Sequence, residues 1–322
     1  MTTSTAPTGA DVAEAGPAGP ASAPRRARRR GSRTHVLAYM LAGPILLYEA
    51  VFVLYPIFQS VRLSLTDTSL GATDSSFVGL RNYDRLFHDP DFYGSLWNTL
   101  TYALLVVVIA VGSGLATALL VNRRMRGRSL IRGVMMTPWA FPEIATVLIF
   151  IWIMNPTFGV INLVSDHIPG LDASGGWLTS SPLALVSIVL ISTWKTFPFY
   201  SIVILASLQT VPESLEEAAR VDGANVWQRF RHVTLPSIRP TLILLSLLAF
   251  IFAFRQFSLI WLTTGGGPGR DTETLVLGIY NSAFKFYDYS YGTTIGVASL
   301  VVTLLVTVVI VGIQRRYGED SD

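Results

Sequence analysis

Four ionisable residues lie inside long apolar segments of the chain: Glu49, Glu143, Lys195 and Arg255. A charge at the centre of a bilayer costs about 2.5–3.5 kcal/mol on insertion scales, so each side chain should face other helices or a wet cavity. Two roles remain open for these charges. Either some of them line a polar path across the membrane, or opposite charges pair between helices and Arg255 reaches toward the surface.

The other polar residues do not form a catalytic site. The chain has no cysteine, which excludes disulfides, thiolate nucleophiles and cysteine-ligated metals. Its four histidines do not stand at metal-ligand spacing, and no nucleophile–histidine–carboxylate set converges. The phosphate-binding pattern G-x-x-x-x-G-K-[ST] is absent from the sequence. We therefore expect no enzyme, no metal site and no cofactor bound by this chain. A transport function would draw its energy from a partner or an ion gradient.

The composition identifies the kind of element that positions these charges. Of the 322 residues, 51% are hydrophobic and only 14% are charged, and the mean hydropathy is +0.48. A soluble domain carries about 25% charged residues, so an ordinary cytosolic enzyme and a disordered chain are both excluded. The remaining class is a polytopic membrane protein.

A membrane-spanning helix needs about 20 mostly apolar residues. The segment 1–34 is rich in alanine, proline and glycine and ends in six arginines, which predicts a disordered basic tail. The first apolar run is too long for a signal peptide and no cleavage site follows it, so the first helix is expected to stay uncleaved. An all-α integral membrane domain with six spans is predicted for residues 35–316, at about 36–58, 96–121, 133–154, 182–208, 238–262 and 291–313.

The distribution of basic residues predicts the orientation. Most of the 24 lie in the first tail and in alternate loops, and only five lie in the loops of the other side: Arg62, Arg81, Arg85, Arg270 and Lys285. The side rich in arginine is cytoplasmic by the positive-inside rule. Both termini, including the short tail 317–322, are therefore expected in the cytoplasm. These cations anchor the chain near anionic lipid and do not indicate nucleic-acid binding.

The loop 209–238 has the sequence pattern of a helix-turn-helix. Pro212 suits the first position of a helix, and Gly223 stands where a left-handed C-cap belongs. Arg220 follows Glu216 by four residues, which is the favourable order for an ion pair. This loop is therefore expected to begin with a short helix at the cytoplasmic surface.

A second short helix is predicted at about 224–233, with Trp227, Phe230 and Val233 at helical spacing. Pro236 is expected to start the next span. A helix pair at the membrane surface either docks on a partner or simply covers the bundle. The physical pattern alone leaves both roles open.

Several segments carry a resemblance to a known family. In the loop, Glu217-Ala218-Ala219, Gly223, Val233 and Leu235-Pro236 resemble the EAA loop of inner-membrane permease subunits of ABC importers, with valine where isoleucine is usual. Further segments are similar to binding-protein-dependent sugar permeases of the maltose-permease type, at 77–99, 138–162, 194–199 and 264–268. The resemblance covers roughly residues 36–316.

This resemblance implies one half of a translocation path for a carbohydrate, in the plasma membrane of a bacterium. Such a subunit pairs with a second permease subunit, two copies of a cytoplasmic subunit that hydrolyses ATP, and an extracytoplasmic sugar-binding protein. The EAA helix would be the coupling helix seated on the ATPase, through residues Glu217, Ala218, Ala219, Asp222, Gly223, Leu235 and Pro236. The alternative is an ion-coupled secondary transporter with Glu49 or Glu143 as its coupling carboxylate, although it has no need of an ATPase-docking helix.

The same resemblance implies a sugar path among the spans. Its candidate residues are Trp194, Lys195, Phe257 and Ser258, because aromatic faces pack on sugar C–H surfaces and Ser258 stands where the family often has aspartate. Pro198 either breaks the fourth span and exposes backbone carbonyls to a cavity, or only kinks a helix whose neighbours satisfy the freed groups. The sequence leaves open which sugar is carried and which of these residues touch it.

Overall fold

A computed structural model describes residues 40, 42–69, 71, 75–123, 126–165, 167–168, 173 and 175–318. The predicted tail 1–34 and residues 319–322 lie outside this part of the chain. Contacts divide the chain into two units, Met1–Tyr55 and Pro56–Asp322. All the candidate site residues except Glu49 lie in the second unit.

The described residues are mainly helical, with one small ribbon. β1 (Thr66–Asp67) pairs antiparallel with β2 (Ser76–Phe77). The helices, in chain order, are α1 (Ala42–Ser64), α2 (Arg81–Phe87), α3 (Pro90–Asn122), α4 (Arg128–Met135), α5 (Thr137–Ala140), α6 (Glu143–Ile153), α7 (Ile161–Ser165), α8 (Leu183–Leu208), α9 (Glu213–Val221), α10 (Val226–Phe254), α11 (Ser258–Thr263), α12 (Leu275–Tyr280) and α13 (Tyr289–Gly318).

Within the described residues, five helices are long and apolar enough to cross a membrane: α1, α3, α8, α10 and α13. The third predicted span, 133–154, is not one helix, because Arg128–Ala140 and Glu143–Ile153 meet at 91°. Pro142 explains the break, since it lacks an N–H and disfavours helical geometry at the residue before it. Phe141 accordingly has an extended ψ of 139°. The described residues thus contain five candidate spans, or six if the bent pair crosses as one.

Two other prolines do not interrupt their helices. Pro198 lies inside the continuous helix α8, and Pro236 lies inside α10, which already begins at Val226. The second helix predicted for the loop is therefore the first part of the fifth span. A π turn at Phe230–Thr234 comes directly before Pro236, where an α-helical ladder would lack a donor.

The fifth span also ends earlier than the sequence predicts. α10 ends at Phe254, and α11 starts at Ser258 after a break of three residues. Arg255 is thus the C-cap of α10 and does not lie inside a span. The core of the bundle is formed where α3 packs along α8 and α10. There Tyr102 and Ser192 share a buried hydrogen bond of 2.6 Å between their hydroxyl groups.

Candidate coupling loop and membrane cavity

Helix α9 has its charges arranged along its dipole. Pro212 occupies the N-cap, one residue before the helix starts. Glu213 and Glu216 lie in the first turn and Arg220 lies in the last turn, where the helix dipole stabilises each charge. The ion pair expected between Glu216 and Arg220 is not among those formed by the described residues.

Gly223 ends α9 in the left-handed conformation that the sequence predicts. Its φ is 80°, its N–H donates to the carbonyl of Arg220 at 3.0 Å, and the N–H of Ala224 donates to the carbonyl of Ala219 at 2.9 Å. These two bonds form a Schellman motif, with Asp222 as the C-cap. A Cβ at Gly223 would meet no atom within 4 Å, so the backbone conformation alone favours glycine.

The start of α10 is fixed by a capping box. The Asn225 side chain accepts from the N–H of Gln228 at 2.9 Å, and the Gln228 side chain accepts from the N–H of Asn225 at 2.8 Å. The Schellman motif and the capping box follow each other directly along the chain. The turn between α9 and α10 is therefore held at both ends, which sets the direction of α9 relative to the fifth span.

The surface formed by α9 and the first turn of α10 exposes large apolar side chains. Val221, Val226 and Trp227 are 87%, 67% and 65% exposed, and Leu215 is 49% exposed. Apolar side chains exposed together in this way mark an interaction surface. Glu217 is also exposed, and in the described part of the chain its carboxylate has no hydrogen-bond or ion-pair partner. The carboxylate of Glu217 is thus available to a partner protein.

The other residues of the EAA pattern fall into two places. Ala218 is exposed and Ala219 is half-buried on α9. Leu235 and Pro236 follow the π turn and belong to α10, the helix that carries the loop into the membrane. The small residues and the Leu-Pro pair therefore lie on different helices.

Lys195 connects α8 to the break in the third span. Its Nζ donates to the carbonyl of Phe141 at 2.6 Å. That carbonyl lies where the helical ladder is interrupted, so a lysine donor replaces a bond that the backbone does not make. The side chain thus combines a structural bond with a position on the cavity described below.

Glu143 connects the same break to the end of the fifth span. It lies in the first turn of α6, where the helix dipole favours a carboxylate. Its Oε1 accepts from Nε2 of Gln256 at 2.6 Å, and Gln256 lies in the three-residue break after α10. The interruptions of two spans therefore meet through one hydrogen bond between side chains.

Lys195, Glu143 and Gln256 line one cavity of about 100 Å³, which we call the membrane cavity. A volume of this size holds water, whereas ligand pockets measure about 300–1,000 Å³. The cavity is thus smaller than a small-molecule ligand pocket in this conformation. The full lining is Tyr102, Val106, Glu143, Ser192, Lys195, Thr196, Tyr200, Ala249, Phe252, Ala253, Gln256 and Leu259.

Residues 91–319 contain both the loop and the membrane cavity, and they match the family described as "binding-protein-dependent transport system inner membrane component". The chain belongs to this family. It is 34% identical over 282 residues to the trehalose/maltose transport system permease protein MalF of Thermococcus litoralis, which covers 87% of this chain and 94% of that protein. It is 34% identical over 293 residues to the sulfoquinovosyl glycerol transport system permease protein SmoG of Agrobacterium fabrum, covering 91% and 94%.

A solved structure shares the fold of this inner-membrane component. It is that of a bacterial alginate ABC transporter in complex with an alginate pentasaccharide-bound periplasmic protein. One of its chains superimposes with a TM-score of 0.74 at 22% identity, covering 90% of this chain and 97% of its own length. The likeness confirms the helical membrane fold.

The other candidate path residues of the inner-membrane component lie outside the membrane cavity. Trp194 is 37% exposed and stands edge-on to Phe150, with ring centroids 5.2 Å apart. Phe257 stacks on Trp261 with centroids 5.9 Å apart, and Ser258 is exposed at the start of α11. Of the four candidates, the structure places only the lysine in the cavity wall.

The other two charges that the sequence predicts inside spans are not among the residues that line the membrane cavity. Glu49 is exposed on α1, and Arg255 is exposed at the end of α10 with no side-chain partner among the described residues. The position of Gln256 in the cavity wall was not predicted from the sequence, because a neutral amide does not carry the insertion cost of a buried charge. The only sequence signal for it was the pair of polar residues that follows the apolar run of α10.

Proposed function

We propose that this inner-membrane component is the permease subunit of an ATP-driven ABC importer for a carbohydrate delivered by an extracytoplasmic binding protein. The observation that carries the proposal is helix α9, which is capped at its C-terminal end and presents exposed apolar side chains beside Glu217, a carboxylate without a partner in the described part of the chain. The permeases for trehalose/maltose and for sulfoquinovosyl glycerol, both 34% identical over most of the chain, support a carbohydrate as the cargo.

Helix α9 is the coupling helix in this proposal. Val221, Val226 and Trp227 insert into the surface of a cytoplasmic ATPase, and Glu217 meets a cation of that partner. The ATPase, in two copies, binds and hydrolyses the ATP, because this sequence has no phosphate-binding loop. A second permease subunit supplies the other half of the path, and surrounding lipid completes the assembly.

The route from the loop to the path runs along α10. No break separates Val226 from Phe254, so a tilt of α9 moves this helix as one body. Its far end carries Gln256, whose bond to Glu143 reaches the break of the third span. The bond from Lys195 to Phe141 holds the other side of that break. Movement at the coupling end therefore opens or closes the membrane cavity.

The proposed topology has six spans and cytoplasmic termini, with the bent third span crossing the membrane. Because the chain has no cysteine, single cysteines can be labelled without background. Arg126→Cys precedes the bent pair, and Thr179→Cys follows it at an exposed position. We expect an impermeant maleimide to label Thr179→Cys in intact cells and Arg126→Cys only after permeabilisation. Labelling of both from the same side would show that the bent pair does not cross.

Uptake by proteoliposomes tests the proposed function. The vesicles hold the permease with its second permease and ATPase, ATP inside, and the loaded binding protein outside. We expect accumulation of a sugar from a panel of maltose, trehalose and sulfoquinovosyl glycerol, and no accumulation of histidine at equal concentration. The ion-coupled transporter considered from the sequence finds no support in the family match. Uptake of histidine in place of every sugar would reject the carbohydrate assignment.

A further inference from the structure

A second cavity, of about 310 Å³, lies at the end of the bundle opposite to α9, and we call it the end cavity. Helix α10 lies between this cavity and the loop. Its 29 residues, at 1.5 Å per residue, give it a length of about 43 Å. No residue lines both the end cavity and the membrane cavity. Its wall consists of Arg85, Asp89, Asp91, Phe92, Ser95, Arg270, Glu273, Leu275, Gly278, Asn281, Ser282, Phe286, Asp288, Tyr291 and Ile295.

Ion pairs join the segments around the end cavity. Arg270 bonds to Asp91 at the start of α3 and, at 2.5 Å, to Glu273. Arg85 bonds to Asp288 at 2.6 Å. Several of these charged groups are about half exposed, so they lie at the aqueous boundary of the bundle. The cavity is thus built by residues from distant parts of the chain and opens toward water.

One side-chain atom in the wall of the end cavity has no hydrogen-bond partner among the described residues. Asn281 is only 7% exposed, and its Nδ2 donates to Oε2 of Glu273 at 3.3 Å. Its Oδ1 is buried and accepts no hydrogen bond from the described residues. A buried polar atom without a partner costs about 1–3 kcal/mol. A hydrogen-bond donor that reaches this atom, from a ligand or from water, would remove this cost.

The remaining wall chemistry fits a sugar. A sugar hydroxyl both donates and accepts hydrogen bonds. The wall contains acceptors, which are the carboxylates, and donors, which are the two guanidinium groups. Ser95 and Ser282, both at least nine-tenths buried, add hydroxyls. Phe286 is 64% exposed in the wall and offers an aromatic face to sugar C–H groups. The volume lies at the lower end of the range for small-ligand pockets.

We propose that the end cavity binds one unit of the transported carbohydrate before the sugar reaches the membrane cavity. The inference rests on the proposed function, because it assigns an additional site to the same cargo. Oδ1 of Asn281 accepts from a sugar hydroxyl, and Glu273 and Arg270 are held by their ion pair in position to bind neighbouring hydroxyls. The end cavity is then an entry site that is separate from the path through the spans.

Gly278 allows the end cavity to be filled without straining the backbone. A Cβ there would lie 3.5 Å from Oε1 of Glu273 and 3.8 Å from Oγ of Ser95, which are ordinary contacts. Gly278→Ala is therefore the matched control, and Gly278→Met is the variant that fills the cavity. Asn281→Leu is a second variant, of similar size, that removes the unpartnered oxygen.

The test measures sugar binding to the complete complex in nanodiscs, without binding protein, by saturation-transfer NMR. The probe is the sugar that the uptake assay selects from maltose, trehalose and sulfoquinovosyl glycerol. We expect wild type and Gly278→Ala to give the same signal. In Gly278→Met and Asn281→Leu, sugar affinity should fall at least tenfold, while the partner subunits still co-purify.

Two results overturn the inference in different ways. If the complex imports a sugar but filling the end cavity leaves its NMR signal unchanged, the cavity holds only water and the proposed function stands. The same conclusion follows if Asn281→Leu binds sugar normally where Gly278→Met does not assemble. If no sugar of the panel is imported at all, the proposed function fails, and the inference that rests on it fails as well.

Discussion

Gly223→Val is expected to remove ATP-coupled uptake almost completely while the spans remain inserted. A side chain in the left-handed region costs about 1–2 kcal/mol, and a β-branched residue is disfavoured there most strongly. With φ at 80° and no atom within 4 Å of the added Cβ, the effect is conformational and is not a clash. The Schellman bonds are lost, and α9 leaves the direction in which it docks. We expect co-purification of the ATPase to fall at least tenfold, since each 1.4 kcal/mol corresponds to a factor of ten.

Gly223→Asn is the matched control, because asparagine tolerates the left-handed conformation better than valine does. This variant should retain most of the ATPase and of the uptake. Hydrolysis stimulated by loaded binding protein is measured for both variants in the same vesicles. Wild-type stimulation and uptake in Gly223→Val would remove the loop from the mechanism.

Lys195→Met is expected to lower the rate of uptake at least tenfold in a complex that still assembles. Methionine keeps much of the length of lysine but cannot donate to the carbonyl of Phe141, which loses its 2.6 Å bond. An unsatisfied carbonyl at the break costs about 1–3 kcal/mol, so the bent third span changes its preferred position. The membrane cavity also loses its positive charge.

Lys285→Met is the control, because Lys285 is the other lysine of the chain and is exposed away from the membrane cavity. The complex with Lys285→Met should take up sugar at the wild-type rate. Unchanged rate and apparent affinity in Lys195→Met would show that Lys195 is neither path nor gate. Loss of assembly in Lys195→Met alone would show that its bond to Phe141 is purely structural.

The sequence predicts the ends of helices better than their interruptions. Gly223 at the end of a charged, amphipathic segment is a local signal, and the Schellman motif confirms it. Pro142, Pro198 and Pro236 look alike in the sequence, yet only Pro142 breaks a helix. Pro198 is buried within α8 against its neighbours, and a π turn precedes Pro236. Tertiary packing decides which missing N–H is tolerated, and that packing cannot be read from local residues.

Only part of the candidate site can be predicted from the sequence, because the rest also depends on tertiary packing. The cost of a buried charge predicts that Lys195 and Glu143 face other helices or a wet cavity, and both line the membrane cavity. The aromatic residues Trp194 and Phe257 are equally dense in the sequence but point to other packing sites. The meeting of two helix breaks at Glu143 and Gln256 joins residues 113 positions apart. No local sequence pattern predicts that these two residues form a hydrogen bond.

The central claim is that ATP hydrolysis by a partner, transmitted through α9, drives sugar through this permease. The proteoliposome uptake assay tests it most directly when the energy source is varied at constant composition. We predict that sugar accumulates only with internal ATP and loaded binding protein, and that a protonophore or a sodium ionophore leaves the rate unchanged. Uptake that proceeds without ATP on an imposed ion gradient, or that stops with the protonophore at constant ATP, would contradict the account.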